Sequence, residues 1–442
     1  MQIRSNTFDL RKNIIKYLCK YKVALSICIK MEGIMFKRTI YQKIKDCLEH
    51  YPVVVVTGAR QVGKSTEVYK LVKDCGFHYV SLDDLTERSL AQTDPMFFIQ
   101  QHELPLIIDE VQYAPILLEV IESIVNKKRL EQGSANGLFV LTGSQAFSMM
   151  QGVTQSLAGR SCILTMMPLS ANEIDAKEEK VFVPSMSCFK KEIHPISVKE
   201  LFKRIVRGFY PELHRDPESD ASLYYRNYVN TYIDRDVSEL INIKDKLVFH
   251  NFLQHMATLT SQQVNYASIS KMVGVSAGTI KSWLSILEAS GIIYFLQPYS
   301  EIKLSKRIVK APKMYFGDTG LAAYLARIYS SENLEISNLA GAFMETYVMN
   351  EIKKSYINNG REFSAYYYRD SNQNEVDLIL LEDGYMHCVE IKKGSLFSLK
   401  DVKGFTQLEK TSFEKGISCI LCNTEKNYAL SKDVFVYSID VI

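Results

Sequence analysis

The sequence predicts an α/β chain built on a doubly wound parallel sheet, and three observations carry that prediction. Apolar β-branched runs such as Val53 to Val56 alternate with helical patterns as far as Ser170; continuous runs of this kind belong to strands buried on both faces. The first strand leads into Gly58-Ala59-Arg60-Gln61-Val62-Gly63-Lys64-Ser65, a glycine loop that opens a helix. Polar groups then stand at the ends of later strands: Asp109-Glu110 after Leu104 to Ile108, and Thr142 and Ser144 after Leu138 to Leu141.

In chain order, a helical pattern over Phe36 to Glu49 precedes Pro52 and the strand Val53 to Val56. A helix from about Lys64 to Lys73 follows, then a short strand His78 to Leu82 and a helical stretch Leu85 to Phe98. After the strand Leu104 to Ile108 come a helix over Ile116 to Lys127, a polar loop Glu131 to Gly137 and the strand Leu138 to Leu141. Beyond Ser170 the chain is charged and irregular to about His194. Helices rich in Tyr and Arg are expected from Val198 to Ile243, short helices over 248–296, and strands again from Lys313. The expected domains are 36–195, 196–312 and 313–442, with 1–35 an extension outside the folded body. There is no internal repeat and no low-complexity segment.

Length and composition agree with this division. A chain of 442 residues exceeds what one core supports, since single cores stop growing at roughly 250–300 residues. Apolar residues make up 47% and charged residues 23%, which argues against wholesale disorder. A formal charge of +3 is too small to imply nucleic acid or membrane. Nine cysteines without a disulfide-like pattern fit reduced thiols and a cytoplasmic setting. Cys419 and Cys422 stand three apart in an apolar run, so they face opposite sides of a strand and read as structural. The first 34 residues hold seven Lys/Arg against Asp9 and Glu32, and their apolar run Val23 to Ile29 falls short of the roughly 20 residues of a membrane span. No membrane association is expected, and Met31 and Met35 leave open a start downstream of Met1.

The glycine loop is a phosphate site. Gly58 and Gly63 let backbone N–H groups surround phosphate oxygens at the positive end of the following helix. Lys64 pairs with the β- and γ-phosphates, Ser65 holds Mg²⁺, and Thr66 completes the nucleotide-binding stretch 58–66. Asp109, at a strand end facing the crevice, is the second expected Mg²⁺ group, and Glu110 the general base toward water. Ser144 is the expected γ-phosphate hydroxyl, with Thr142 in reserve. Arg160, in Leu157-Ala-Gly-Arg, is a candidate transition-state cation, acting in cis or from a neighbouring subunit, or else a structural ion pair.

These motifs, together with Ile-Ile-Asp-Glu-Val-Gln, Leu-Thr-Gly-Ser and Tyr232-Ile-Asp-Arg-Asp236, resemble the prokaryotic predicted ATPases of the AAA+ superfamily that carry a C-terminal domain of uncharacterised function. The resemblance covers roughly Phe36 to the end. It implies a P-loop ATPase domain, a winged helix-turn-helix middle and a C-terminal domain similar to restriction-endonuclease-like folds, with ATP and Mg²⁺ as cofactors. One departure is Arg207-Gly-Phe-Tyr-Pro-Glu, where the family usually has a second glycine before the aromatic.

In the middle, Ala267 to Ser276 and Thr279 to Leu287 have the spacing of two short helices with a turn at Gly274 and a cap at Ser276. The second helix exposes mainly Ala277, Thr279, Lys281, Ser282 and Ser285, which offers DNA one cation and favours interdomain packing. Lys303, Lys306, Arg307, Lys310 and Lys313 form a basic run that reads either as the missing charge or as a solvated face.

Near the end, Asn374-Glu-Val-Asp-Leu-Ile-Leu and His387-Cys-Val-Glu-Ile-Lys-Lys suggest a hairpin bringing Asp377 near Glu390 and Lys392, the latter two on one strand face. Two carboxylates bind Mg²⁺ and a lysine steadies the attacking water in phosphodiester cleavage. The pattern resembles the nuclease core of restriction-type folds, with Glu345 on the preceding helix as a further ligand. A nuclease, a non-cutting binder and a structural remnant all stay open. The expected function is Mg-ATP hydrolysis coupled to action on a protein partner or DNA, with self-association open; the rivals are a slow nucleotide-controlled binding switch and an ATP-gated nuclease.

Overall fold

The computed structural model describes residues 36–143, 156–232, 246–299, 311–408 and 411–442. The chain divides into the units Met1–Lys37 and Arg38–Ile442, and the elements below belong to the second.

Five strands, β1 Val53–Thr57, β2 His78–Ser81, β3 Leu106–Asp109, β4 Phe139–Thr142 and β5 Ser161–Thr165, form a parallel sheet in the order β2-β3-β4-β1-β5. Strand residues alternate between two cores. Val53, Val55, Leu106, Ile108, Phe139 and Leu141 pack on one side, with Leu117, Leu118, Ile121 and Val125 of the helix Leu117–Gln132. Val54, Val56, Ile107 and Val140 pack on the other, with Ile40 and Ile44 of the helix Ile40–His50 and Val68 and Leu71 of the helix Lys64–Cys75. Burial on both faces is why these strands read as unbroken apolar runs. The α/β expectation holds, and β4 lies between β1 and β3, so three strand ends meet on one edge.

A second, mixed sheet has ten strands among the described residues. Its main path runs β14 Tyr428–Ala429, β15 Val434–Ser438, β13 Ser418–Cys422, β11 Tyr385–Ile391, β10 Glu375–Glu382, β9 Ala365–Arg369, β7 Ile293–Pro298, β8 Lys313–Phe316 and β6 Gln262–Gln263, and β12 Glu414–Lys415 pairs with β11. β10 and β11 form a hairpin around Asp383-Gly384, a two-residue turn suited to the twist of paired strands. Cys419 and Cys422 of β13 enter different cores, as their spacing requires. β8, just past residue 312, pairs with β7 and β6 before it. The helix Tyr266–Val273, the turn at Gly274 and the helix Ala277–Ala289 follow the expected pattern, with Ser276 Oγ accepting from Thr279 N at 3.0 Å.

A buried carboxylate binds the middle elements together. Asp318 accepts from Phe209 N at 2.7 Å, Tyr225 Oη at 2.7 Å and Leu321 N at 2.8 Å. The backbone approaches at Gly208, where φ is +76° and an added Cβ would stand 1.9 Å from Tyr225 Oη and 2.7 Å from Asp318. Among the described residues no helix is long and apolar enough to cross a membrane.

The Gly208→Ala variant combines a left-handed backbone with overpacking, each costing about 1–3 kcal/mol. Urea unfolding of this variant is expected to show a loss on the order of 3 kcal/mol, whereas Gly133→Ala, with nothing within 4 Å, loses only its backbone share.

Candidate functional site

The phosphate loop occupies the carboxyl end of β1. At Gly58 the chain has φ +148°, and a methyl group would stand 2.2 Å from the Met166 carbonyl oxygen at the end of β5. No side chain fits that approach. Gly63, at φ +96°, turns the loop into the helix Lys64–Cys75. Lys64 is 5% exposed, and its ammonium donates to the carbonyls of Gly58 at 3.1 Å and Ala59 at 2.9 Å. Burial pushes its pKa down to about 8; Glu110 and Asp109 oppose that shift and Arg60 adds to it.

Asp109, buried at the end of β3, accepts hydrogen bonds from three elements. Ser65 Oγ donates at 3.0 Å, Tyr79 Oη of β2 at 2.8 Å, and the Thr142 hydroxyl of β4 bonds the same oxygen as Ser65. Burial and the Asp109 contact push the Tyr79 phenol well above its ordinary pKa. Glu110 follows at φ +56°, unusual for a non-glycine residue. Its N–H donates to Thr142 Oγ1 at 3.2 Å, and the Gln112 amide donates to its carboxylate. Thr142 is therefore engaged inside the site, between Asp109 and Glu110. Ser144 lies outside the described residues. Ser65 and Asp109, 3.0 Å apart beside a lysine and a loop whose Gly58 has no room for a Cβ, fit Mg²⁺ and a triphosphate.

Neighbouring elements reach the loop. The buried Arg38 donates to Val62 O at 2.9 Å and Met167 O at 2.6 Å, and pairs with Glu173 at 3.0 Å. Tyr224 Oη donates to Gln61 at 2.7 Å, and the Arg60 guanidinium stands 5.3 Å from the centre of the Tyr232 ring. Thr66 is exposed in the first turn of the helix. Sequence reading missed Arg38, Tyr79 and Gln112; a sequence signal exists only for Gln112, two residues past Glu110.

Arg160 requires a correction. Its backbone carbonyl accepts from Val53 N at the amino end of β1, whereas the phosphate loop begins at the carboxyl end, roughly 13 Å away at ~3.3 Å per residue. Its side chain pairs with Glu122 at 3.2 Å and donates to Asn126 at 2.9 Å. An in-cis role at the phosphates is excluded, leaving the structural ion pair and action on a neighbouring subunit.

A second cluster lies in a polar cleft of about 450 Å³ lined by Glu345, Asp377, Glu390 and Lys392, with Arg369, Lys400 and Lys403 on its walls. The hairpin register sets Asp377 beside Glu390, and Ile391 N donates to Asp377 at 2.9 Å. Lys392 pairs with Glu390 at 2.7 Å. Burial, reinforced by Asp377, pushes Glu390 up to about 9, and burial raises Glu345 to about 7 against the pull of Lys313. Burial acts on Asp377 too, but Lys313 and Lys392 outweigh it and hold this carboxyl below its usual range.

Lys313 also departs from expectation. It is 3% exposed, not part of a solvated basic face, and it stands among Glu345, Glu375 and Asp377. Lys303, Lys306, Arg307 and Lys310 lie outside the described residues. Among the described residues no three acidic, His or Cys side chains converge as a metal-ligating group. With an ammonium between its carboxylates, this cleft as arranged does not fit a divalent ion.

Residues 50–175 match the family model of an AAA domain, and 198–332 and 340–442 match two domains of unknown function, DUF8612 and DUF4143. An uncharacterised protein of Mycobacterium tuberculosis is 24% identical over 366 residues, 82% of this chain and 75% of its own. One from Methanocaldococcus jannaschii is 21% identical over 345 residues, 70% of each chain. A solved Walker-type ATPase of Pyrococcus abyssi aligns with 66% of this chain and 96% of its own, at 13% identity and a TM-score of 0.41.

Only the charged form of Lys64 can pair with a phosphate, and its depressed pKa empties that form above about pH 8. Calorimetric titration with Mg-ADP is expected to give a steady affinity from pH 7 to 8, then a fall approaching about tenfold per pH unit. An affinity flat to pH 9.5 contradicts this.

Proposed function

Since residues 50–175 are an AAA domain of the P-loop class, we propose that the protein binds Mg-ATP, hydrolyses it and couples hydrolysis to action on a protein partner or DNA. One observation carries the reading: Lys64, Ser65, Asp109 and Thr142, from three separate elements, converge at the carboxyl edge of a single parallel sheet. Mg²⁺ held by Ser65 and Asp109 would neutralise charge on the phosphates of ATP. Lys64 leaves the carbonyls of Gly58 and Ala59 to donate to phosphate oxygens, while 58–66 wraps the phosphates with its N–H groups. Ser65 and Asp109 hold the metal. Glu110, oriented by Gln112, accepts the proton of the attacking water. Ser144, beyond β4, is our choice for the γ-phosphate hydroxyl.

Coupling to the rest of the chain is supported by contacts at the loop and along one helix. Gln61 and Arg60 touch Tyr224 and Tyr232. The helix Ala340–Ile357 donates from Lys354 to Leu169 O at 2.8 Å and accepts from Ala171 N through Glu351 at 2.7 Å. That same helix carries Glu345 into the second cleft. We read the middle, with helices 246–258, 266–273 and 277–289 against β6, β7 and β8, as a winged-helix module. The C-terminal sheet with its acidic hairpin we read as restriction-endonuclease-like. A second reading, an ATP-gated nuclease, is favoured by the convergence of Glu345, Asp377, Glu390 and Lys392 in one cleft with cationic walls.

Glu110→Gln is expected to keep ATP binding and lose about 10²-fold or more in phosphate release, as removal of a general base does. Lys64→Ala loses binding as well. Release unchanged in both variants overturns the ATPase reading, and binding without turnover in the wild type favours the switch. Turnover measured with and without double-stranded DNA separates a DNA partner from a protein one.

A further inference from the structure

A cavity of about 300 Å³ opens beside the phosphate loop, where the AAA domain, the middle and the C-terminal region meet. Met166 and Met167 after β5, Ile293 of β7, and Lys353 and Ile357 of the helix Ala340–Ile357 line it. None of the polar groups gathered at Asp109, and none of those in the C-terminal cleft, contributes to its wall. In a pocket lined mainly by apolar groups, the few charges decide which ligand fits.

Two lysines stand side by side on the helix, and their surroundings differ. Lys354 is buried and matched: its ammonium donates to Leu169 O at 2.8 Å and pairs with Glu351 at 2.7 Å. Lys353, on the cavity wall, makes no hydrogen bond and no ion pair among the described residues. Its ammonium stands 3.6 Å from the centre of the Tyr294 ring. An ammonium carries three N–H donors, and an aromatic face gives them no oxygen to bond. Burial pushes the Lys353 pKa down to about 8 against the pull of Glu288, which leaves the group charged at neutral pH. Glu288 itself sits exposed at the rim of the cavity.

One inward cation among apolar walls is matched by one carboxylate on an apolar body. A phosphate monoester would set a second negative charge against Glu288, which is unfavourable where water is partly excluded.

We propose that this cavity is a binding site for a small organic monocarboxylate, its carboxylate on Lys353 and its apolar chain against Met166, Met167, Ile293 and Ile357. The occupant touches all three regions of the chain at once, beside Gly58 and Ala59, whose carbonyls hold Lys64. The site goes beyond the ATPase reading and does not depend on it.

The test is calorimetric titration of hexanoate into the full chain without nucleotide, with uncharged hexanamide as the control ligand. Wild type is expected to bind hexanoate saturably, in the millimolar range or tighter. Replacing hexanoate by hexanamide, or Lys353→Met in the protein, is expected to weaken binding at least about tenfold, because a charge-assisted hydrogen bond is lost. Equal hexanoate affinity in wild type and Lys353→Met overturns the proposal, as does equal affinity of wild type for the two ligands or the absence of saturable binding. Should Lys353→Met fail to fold, Ile357→Phe is titrated instead, since it fills the cavity and leaves the ammonium in place. It is expected to abolish hexanoate binding, and undiminished binding overturns the site.

Discussion

A carboxylate taken out of water must be matched by hydrogen bonds or it costs several kcal/mol, and the site depends on how that requirement is met at Asp109. Its two oxygens accept from Ser65, Tyr79 and Thr142, which belong to the helix after β1, to β2 and to β4. These partners meet only if β3 lies between β2 and β4, and β4 beside β1. Strand order, the pitch of the first helix and the seating of the phosphate loop are all tied to one buried charge. The neighbouring Glu110, at positive φ, is then turned so that Thr142 takes its N–H and Gln112 its carboxylate.

The same logic recurs at two other buried charges. Asp318 gathers Phe209, Tyr225 and Leu321 and so joins the helices Val198–Arg207, Ala221–Tyr228 and Thr319–Leu325. Arg38 ties the phosphate loop, the segment after β5 and Glu173. In each case a short-range capping or pairing residue is used to hold segments far apart in sequence. Tyr224, on the helix Ala221–Tyr228, donates to Gln61 of the phosphate loop at 2.7 Å.

What was legible in the sequence were features with a local cause. The strands of the parallel sheet showed as β-branched runs because both faces are buried, and the loop showed through its glycines because Met166 leaves no space for a Cβ at Gly58. The hairpin carrying Asp377 and Glu390 was legible because two apolar strand-like runs, one with each carboxylate, follow each other closely in the chain. Groups that act through tertiary contact were not. Tyr79 and Arg38 reach the site from elements with no motif of their own, and Lys313 sat in a basic run whose pattern carries no information about the acids packed against it. Arg160 stands in Leu157-Ala-Gly-Arg, a pattern that leaves its partner open, and it precedes β5 at the end of the sheet away from the phosphate loop, paired with Glu122.

We propose that the cluster around Asp109 hydrolyses ATP with Mg²⁺. Phosphate release from ATP is measured for the purified full-length protein, with Mg²⁺ and with the metal chelated, wild type beside Asp109→Asn. Metal-dependent release is expected in the wild type, falling by about 10²-fold or more in Asp109→Asn, as loss of a carboxylate that holds the metal and orients the neighbouring base would give. Equal release by the two proteins, or release indifferent to the metal, would contradict it.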